Sequence, residues 1–302
     1  MKIYKYLLII FLLFFIHCNV DFNRNNLPII VLADTIQKNT ASTTNTTSTP
    51  TNTPTETPTT PTTPTTPSAP VVVPSPFYRW QFNNDYTSST SNAKTGTATQ
   101  VGTGPNVVFN NSIVREGSHS IFFGTTTGAY NNGASVDFGA TNLGNQFTFT
   151  LWAYIIAPSG GYTEKLQTIL TNKVGTSGIN DGFSIFFNKY SVQDQSVLFN
   201  TGNGTVSGQF DSNTNVISYN TWTHFSFVFD RNLGTAKVYI NGSPIASTTT
   251  YTIRTDFTNT TSLRLGGLGS PTFFHYSGYV DDMRYYNQAF TDSEIQTIFT
   301  NY

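Results

Sequence analysis

The chain has 302 residues, of which 10% are charged and 15% aromatic, and its formal net charge is −1. This balance excludes proteins that hold nucleic acid or an anionic membrane through a strongly basic surface. The composition is rich in Thr, Asn, Gly, Phe and Tyr. Such a composition favours short strands and polar turns over helices.

Residues 1–33 have the organisation of a secretory signal peptide. Lys2 and Lys5 precede an apolar run over residues 7–16. This run is too short to span a bilayer unaided, because about 20 residues are needed. Small and apolar residues before Asp34 predict cleavage after Ala33. The alternative is an uncleaved membrane anchor, helped by the second apolar stretch at residues 27–33.

Cys18 is the single cysteine of the chain, and it lies within the predicted signal peptide. The region of His17 and Cys18 is an alternative cleavage site. If Cys18 is removed with the leader, the mature protein has no disulfide, no cysteine-based zinc site and no thiol nucleophile. We therefore expect an extracellular protein, secreted or at the cell surface, that is stabilised by a large core or a bound ion.

Residues 34–76 are predicted to be a disordered Thr/Pro-rich linker or stalk. A Thr-Thr-Pro repeat runs through residues 58–67, and its period of three matches polyproline II. Such a segment buries too little apolar surface to fold and is extended and semi-rigid. Dense Thr and Pro also suit O-glycosylation. The segment acts as a spacer with or without sugars.

Residues 77–302 alternate short apolar runs with turns rich in Gly, Asn, Ser and Thr. Two of these runs have clear faces. In the first, Phe147, Phe149, Leu151 and Ala153 oppose Thr148, Thr150, Trp152 and Tyr154; in the second, Phe225, Phe227 and Phe229 oppose His224, Ser226 and Val228. One buried and one wetter face is typical of antiparallel sheets packed as a sandwich. The predicted strands are residues 77–82, 120–123, 147–154, 167–170, 183–187, 197–199, 223–229, 237–240, 262–265 and 279–286.

The turns and the C-terminal stretch support the same architecture. Residues 230–234 form a predicted hairpin loop, and Asn241-Gly242 is a strong signal for a two-residue hairpin. Residues 278–295 begin as a strand, and Thr291 with Glu294 forms a capping box before a short helix. The predicted fold is an all-β, antiparallel jelly-roll β-sandwich with a short C-terminal helix.

The two-residue period of the C-terminal strand also predicts its faces. It sets Tyr279, Asp281, Met283 and Tyr285 against Val280, Asp282, Arg284 and Tyr286.

Four segments, in order, resemble the laminin-G-like (concanavalin A-like) jelly-roll family. Residues 79–83 resemble its opening strand, residues 146–152 its Phe-Thr-Phe strand that ends in Trp, residues 222–242 its central hairpin, and residues 278–295 its closing strand and helix. The resemblance spans residues 77–302. It implies the jelly-roll fold and a lectin-like domain.

The same fold hosts glycanases, but no catalytic motif is visible in the sequence. Retaining glycosidases need two carboxylates about 5–5.5 Å apart, and the family places them as Glu-x-Asp-x-x-Glu. The four glutamates, at Glu56, Glu116, Glu164 and Glu294, do not form this pattern. We therefore predict that the protein is not an enzyme, while carboxylates brought together by folding remain the alternative.

The family resemblance implies a calcium site between the opening and closing strands. Here these strands offer Asn83, Asn84 and Asp85 together with Asp281 and Asp282. Calcium takes six to eight oxygen ligands, so carboxylate and amide side chains suit it. Family members often carry Asp where Asn83 stands. The alternative is that Asp282 pairs with a basic side chain such as Arg284, and that Asp281 accepts hydrogen bonds from a neighbouring turn.

A second candidate site is aromatic. Phe273, Phe274, His275 and Tyr276 follow one another in a loop, and Tyr162 lies in a Gly-rich turn. Aromatic faces stack on sugar rings, so these residues are candidate ligand contacts. The alternative is that Phe273 and Phe274 close one end of the sandwich.

Five sequons mark candidate glycosylation sites, at Asn45, Asn110, Asn203, Asn241 and Asn259.

These observations predict a non-catalytic binding module whose partners are glycans or glycoproteins at a cell surface or in the extracellular matrix. An adhesive or structural surface protein that binds protein partners is the first alternative, and a polysaccharide-degrading enzyme is the second.

Overall fold

The computed structural model describes residues 70–101, 106–124, 133–157, 165–246, 252–258, 261–268 and 274–302. The chain divides into two units, Met1–Thr65 and Thr66–Tyr302, and all described residues belong to the second. The predicted signal peptide and residues 34–69 of the predicted linker lie outside this part.

None of the helices among the described residues is long and apolar enough to cross a membrane.

The described part of the chain forms fifteen strands and one helix. The strands are β1 (Tyr78–Trp80), β2 (Thr97–Val101), β3 (Val108–Asn110), β4 (Ser120–Phe122), β5 (Gly133–Ala140), β6 (Gln146–Ile155), β7 (Gln167–Thr171), β8 (Gly182–Lys189), β9 (Val192–Gly202), β10 (Ser207–Asp211), β11 (Trp222–Asp230), β12 (Thr235–Ile240), β13 (Ser243–Ile245), β14 (Ser262–Leu265) and β15 (Gly278–Tyr286), and the helix is α1 (Asp292–Thr300).

The strands form two antiparallel sheets. The eight-stranded sheet has the order β13-β12-β11-β6-β15-β4-β3, with β1 also paired to β15, and the seven-stranded sheet has the order β10-β9-β8-β7-β14-β5-β2. Their inner faces share one core, to which Phe147, Phe183 and Phe199 belong. This arrangement confirms the predicted sandwich, and the strand order, with its long crossovers, is that of a jelly roll.

The strands with clear alternation are found where the sequence predicts them. The sequence missed β2, β3, β5 and β10. In β5, Ala134, Val136 and Phe138 face the core, but Gly, Ala, Ser and Asp dilute the pattern because they are poor strand formers. Pairing with β14 on one side and β2 on the other sets this strand.

The predicted hairpins and helix cap are confirmed. Asp230 accepts hydrogen bonds from the backbone of Asn232 and Leu233 at the turn between β11 and β12. Asn241 and Gly242 have φ values of 48° and 78°, which is the geometry of a type I′ turn. Thr291 and Glu294 form the capping box of α1.

The outer face of the eight-stranded sheet is drier than predicted. Thr148, Thr150, His224 and Ser226 are fully buried, because α1 and the residues after it cover this face. Ile295 and Ile298 of α1 pack in a second apolar cluster with Val228, Tyr239, Tyr286 and Phe290. The sequence expectation of a wetter face was therefore wrong at these positions, while Tyr154 at the end of β6 is partly exposed as expected.

The predicted faces of β15 were also wrong. Val280, Met283 and Tyr285 all pack in the core, although strict alternation would place Val280 opposite the other two. The pairing of β15 with β6 shifts register between Asp281 and Arg284, and Asp282 has a φ of 41°. A β-bulge at this point changes which side chains face inward.

Trp152, His224 and Ser226 lie next to one another beneath the C-terminal residues. The rings of His224 and Trp152 are 5.1 Å apart, and the ring of Tyr302 lies 4.8 Å from that of His224. In the described part of the chain, both imidazole nitrogens, the indole nitrogen and the Ser226 hydroxyl lack hydrogen-bond partners. Burial, and then the nearby Arg284 and Arg115, lowers the pKa of His224 to about 3.

Replacing His224 with Phe should reduce the loss of stability on acidification. Because the pKa of His224 falls from 6.5 to about 3 on folding, the unfolded chain takes up the proton first. The stability that the neutral ring contributes is complete above pH 6.5 and is lost as the pH falls toward 3. We expect urea denaturation to show that the free energy of unfolding falls between about pH 7 and about pH 5 in both proteins. The fall should be about 2 kcal/mol smaller in His224→Phe than in the wild type. Equal losses in the two proteins would contradict this assignment.

Candidate functional site

The adjacent carboxylates of Asp281 and Asp282 are fully buried in β15. Asp281 Oδ2 accepts hydrogen bonds from the backbone N–H groups of Arg115 and Glu116 at 2.8 and 2.9 Å. Its Oδ1 accepts one from the N–H of Asp282 at 2.8 Å. Burial raises the pKa of Asp281 to about 7, and these three donors act in the opposite direction.

Asp282 pairs with two guanidinium groups. Its Oδ1 lies 2.6 Å from Nε of Arg79 on β1, and its Oδ2 lies 3.0 Å from Nε of Arg284 on β15 itself. The arrangement that the sequence analysis gave as the alternative to calcium is therefore present, with Arg79 as an additional partner. Arg79 ties the first strand of the domain to the last.

Two of the three amino-terminal calcium candidates, Asn83 and Asp85, are also engaged. Asn83 Oδ1 accepts from the backbone N–H groups of Ser118 and His119 at 2.6 and 3.2 Å. Asp85 is exposed and accepts from the N–H of Thr87 at 2.7 Å. Among the described residues no group of three or more His, Cys, Asp or Glu could hold a metal ion.

These contacts do not fit a calcium site, because N–H donors occupy the oxygens that a cation would need. Calcium binding stays a prediction.

Three aromatic side chains meet on the outer face of the seven-stranded sheet. We call Phe186, Tyr190 and Phe274 the aromatic cluster. The ring of Phe274 lies 6.3 Å from that of Phe186 and 5.9 Å from that of Tyr190, both edge to face. Phe186 points outward because its neighbours Ile185 and Phe187 fill the core.

Backbone contacts hold the cluster in place. The N–H of Thr168 on β7 donates to the carbonyl of Phe274 at 2.7 Å, and the N–H of Lys165 donates to that of Tyr190 at 2.6 Å. Phe274 has a φ of 62°, which is uncommon for a bulky residue and often marks a functional position. Tyr190 lies in the turn between β8 and β9 and is 50% exposed.

His275 lies beside the cluster, wedged against two glycines. A Cβ on Gly133 would come within 1.9 Å of the imidazole, and one on Gly267 within 3.0 Å. The side chain is 7% exposed, and neither ring nitrogen has a hydrogen-bond partner among the described residues. Burial lowers the pKa of His275 to about 4, so the ring is neutral at physiological pH.

Polar side chains extend the same face. The hydroxyl of Thr168 is buried and has no partner in the described part of the chain. Strand pairing places Thr168, Phe186, Leu198 and Asp211 in one row across β7 to β10. Burial raises the pKa of Asp211, and its hydrogen bond with Gln209 opposes the shift. The face therefore combines aromatic rings with hydroxyl, imidazole and carboxyl groups.

The predicted ligand residues have different fates. Phe274 and His275 lie at this face. Tyr276 does not, because its ring is buried in the core and its hydroxyl lies 3.0 Å from the carbonyl of Tyr154. Its prediction as a ligand contact was wrong. Tyr162 and Phe273 lie outside the described residues.

Phe186 and Tyr190 were not among the predicted ligand residues. Phe186 could have been found, since it is the outward aromatic residue between two inward ones.

Three sequons can be placed. The side-chain oxygens of Asn110 and Asn203 accept hydrogen bonds within their own turns, and that of Asn241 accepts from the N–H of His224. Asn45 and Asn259 lie outside the described residues. Glycosylation stays a prediction at all five.

The fold is that of a concanavalin A-like jelly roll. The family model for the concanavalin A-like lectin/glucanases superfamily matches residues 126–296. That match covers more than half of the chain, and the protein therefore belongs to this superfamily. No curated protein sequence matches the chain.

Solved structures share the fold at low sequence identity. Domain 4 of AbnA, a GH43 extracellular arabinanase from Geobacillus stearothermophilus in complex with arabinotriose, is 20% identical over 73% of this chain and 96% of its own, with a TM-score of 0.53. The binding domain of botulinum neurotoxin serotype G is 13% identical over 75% of this chain and 51% of its own, with a TM-score of 0.51. The binding domain of botulinum neurotoxin DC in complex with SialylT gives the same values. At these identities the likeness shows the fold alone.

Replacing Asp282 with Asn should destabilise the fold strongly. The change leaves the guanidinium groups of Arg79 and Arg284 without their shared anion, and breaking a buried ion pair costs about 3 kcal/mol or more. Asp85→Asn is the matched control, because Asp85 is exposed and its oxygen accepts one backbone hydrogen bond, which Asn can also accept. Urea denaturation should show the loss in Asp282→Asn and little change in the control. Equal stability of the two variants would contradict the structural role of the pair.

Proposed function

We propose that the protein is a secreted or surface-displayed, non-catalytic carbohydrate-binding protein. The observation that carries the proposal is the aromatic cluster, whose three rings lie together on the outer face of the seven-stranded sheet. Aromatic rings present an apolar surface to the C–H face of a sugar, and adjacent polar groups fix its orientation. Membership of the lectin/glucanases superfamily and the arabinotriose complex of domain 4 of the arabinanase support the ligand class.

The two faces of the sandwich differ in availability. On the outer face of the eight-stranded sheet, α1 and the residues after it cover His224 and Ser226, which are buried, whereas Tyr154, Trp222 and Tyr279 are partly exposed. The outer face of the seven-stranded sheet keeps Tyr190 half exposed and Phe186 and Phe274 partly exposed. A ligand therefore reaches aromatic side chains on the second of these faces without displacing the helix.

We propose a non-catalytic protein because the glutamates that the structure describes already make structural contacts. Glu294 caps α1, and Glu116 pairs with Arg115 at 3.6 Å. Glu164 lies outside the described residues. The proposed location rests on the leader and on the Thr/Pro-rich segment, which would hold the binding domain away from its point of attachment.

Replacing Tyr190 with Ala should weaken glycan binding about tenfold, because one stacking ring is removed. The full-length protein is first applied to a glycan array, and its ligands are then titrated by calorimetry. Leu233→Ala is the control, since Leu233 is 75% exposed in a turn of the other sheet. Both variants should keep the wild-type melting temperature.

Two results would contradict the proposal. Unchanged affinity in Tyr190→Ala would remove the aromatic cluster as the site. Release of reducing sugar from a bound polysaccharide would show that the protein is an enzyme.

A further inference from the structure

We propose that the aromatic cluster selects uncharged glycans over glycans that carry carboxylate or sulfate groups. This inference rests on the proposed function and deepens it by naming the ligand class. Proteins bind anionic groups most strongly through charge-assisted hydrogen bonds, above all from the bidentate fork of arginine.

Each arginine of the described chain already has a partner. Arg79 and Arg284 bind Asp282. The other four arginines have other partners: Arg115 pairs with Glu116, Arg254 with Asp256 and Arg264 with Asp137, and Arg231 donates to the carbonyl of Phe257. Recruiting any of them would break an existing contact.

The lysines are committed in the same way. Lys173 is buried on the outer face of the seven-stranded sheet, and its Nζ donates to Asn200 Oδ1 and to the carbonyl of Gly178. Lys189 pairs with Asp194 at 3.6 Å, and Lys165 also has an interaction partner. The remaining two, Lys94 and Lys237, donate to the carbonyl of Ala140 and to Asp292.

A carboxylate flanks the cluster. Asp211 lies in the same row as Phe186, separated from it by Leu198, whereas Asp194 on β9 is paired with Lys189 and adds no net charge. A carboxylate or sulfate placed on the rings would lie near Asp211 and would lose its own hydration without gaining an unpaired cation. Acidic sugars are therefore disfavoured by charge as well as by the lack of a donor fork.

The uncharged polar groups at this face are enclosed by the protein. The hydroxyl of Thr168 and the imidazole of His275 are both buried, and His275 is wedged against Gly133 and Gly267. Neither group presents a positive charge to a ligand on the aromatic cluster.

Matched glycans test the inference. The full-length protein is applied to an array of neutral oligosaccharides beside their sialylated, uronic-acid-bearing and sulfated counterparts, and each bound pair is titrated by calorimetry. The neutral member of each pair should bind about tenfold more tightly. Asp211→Asn removes a flanking carboxylate and should reduce the difference in affinity between the neutral and acidic glycans. Asp85→Asn, at an exposed position away from the cluster, should leave this difference unchanged.

The outcomes separate the inference from the function on which it rests. Equal or tighter binding of the acidic members would overturn the inference and leave carbohydrate binding intact. An unchanged difference in Asp211→Asn would overturn the role given to that carboxylate. Binding to none of the glycans would overturn the proposed function and the inference with it.

Discussion

Two adjacent carboxylates in the middle of a sheet have to be satisfied without water, and much of this structure is arranged to do so. On one side, β15 pairs with β4 at residues 279–280 and with β1 at residues 283–285. Asp281 and Asp282 lie between these two pairings. Buried anions are costly unless they are paired and hydrogen-bonded. At the bulge, Asp282 faces two arginines, and Asp281 faces two backbone N–H groups of the loop before β4.

This arrangement links parts of the domain that are far apart in sequence. Arg79 connects β1 to β15, and Arg115 and Glu116 bring the loop before β4 against the same strand. The guanidinium of Arg284 lies over the ring of Tyr302, so the same network reaches the residues that follow α1. The helix covers part of the outer face of the eight-stranded sheet, and the aromatic cluster lies on the opposite, seven-stranded sheet.

Sequence patterns predicted the fold well and the site only in part. The alternation of β6 and β11, the turn at Asn241-Gly242 and the capping box at Thr291 are local signals, and each is confirmed. The bulge in β15 is not local, because it depends on how Arg79 and the loop before β4 meet the two carboxylates.

The candidate site shows the same limit. Phe274 and His275 were expected at a ligand surface, but Phe186 and Tyr190 join them only through the pairing of β7 with β8. Tyr276 follows directly in the chain and still faces the core. Adjacency in the sequence therefore did not predict which residues lie together on the surface.

We propose that the aromatic cluster of the seven-stranded sheet, and not the helix-covered part of the other sheet, binds the ligand. Chemical-shift mapping of the full-length protein with a neutral oligosaccharide bound distinguishes the two. The largest amide shifts should fall on Phe186, Tyr190, Phe274 and their strand neighbours. Shifts concentrated around α1 or around Asp281 and Asp282 would show that the ligand binds elsewhere.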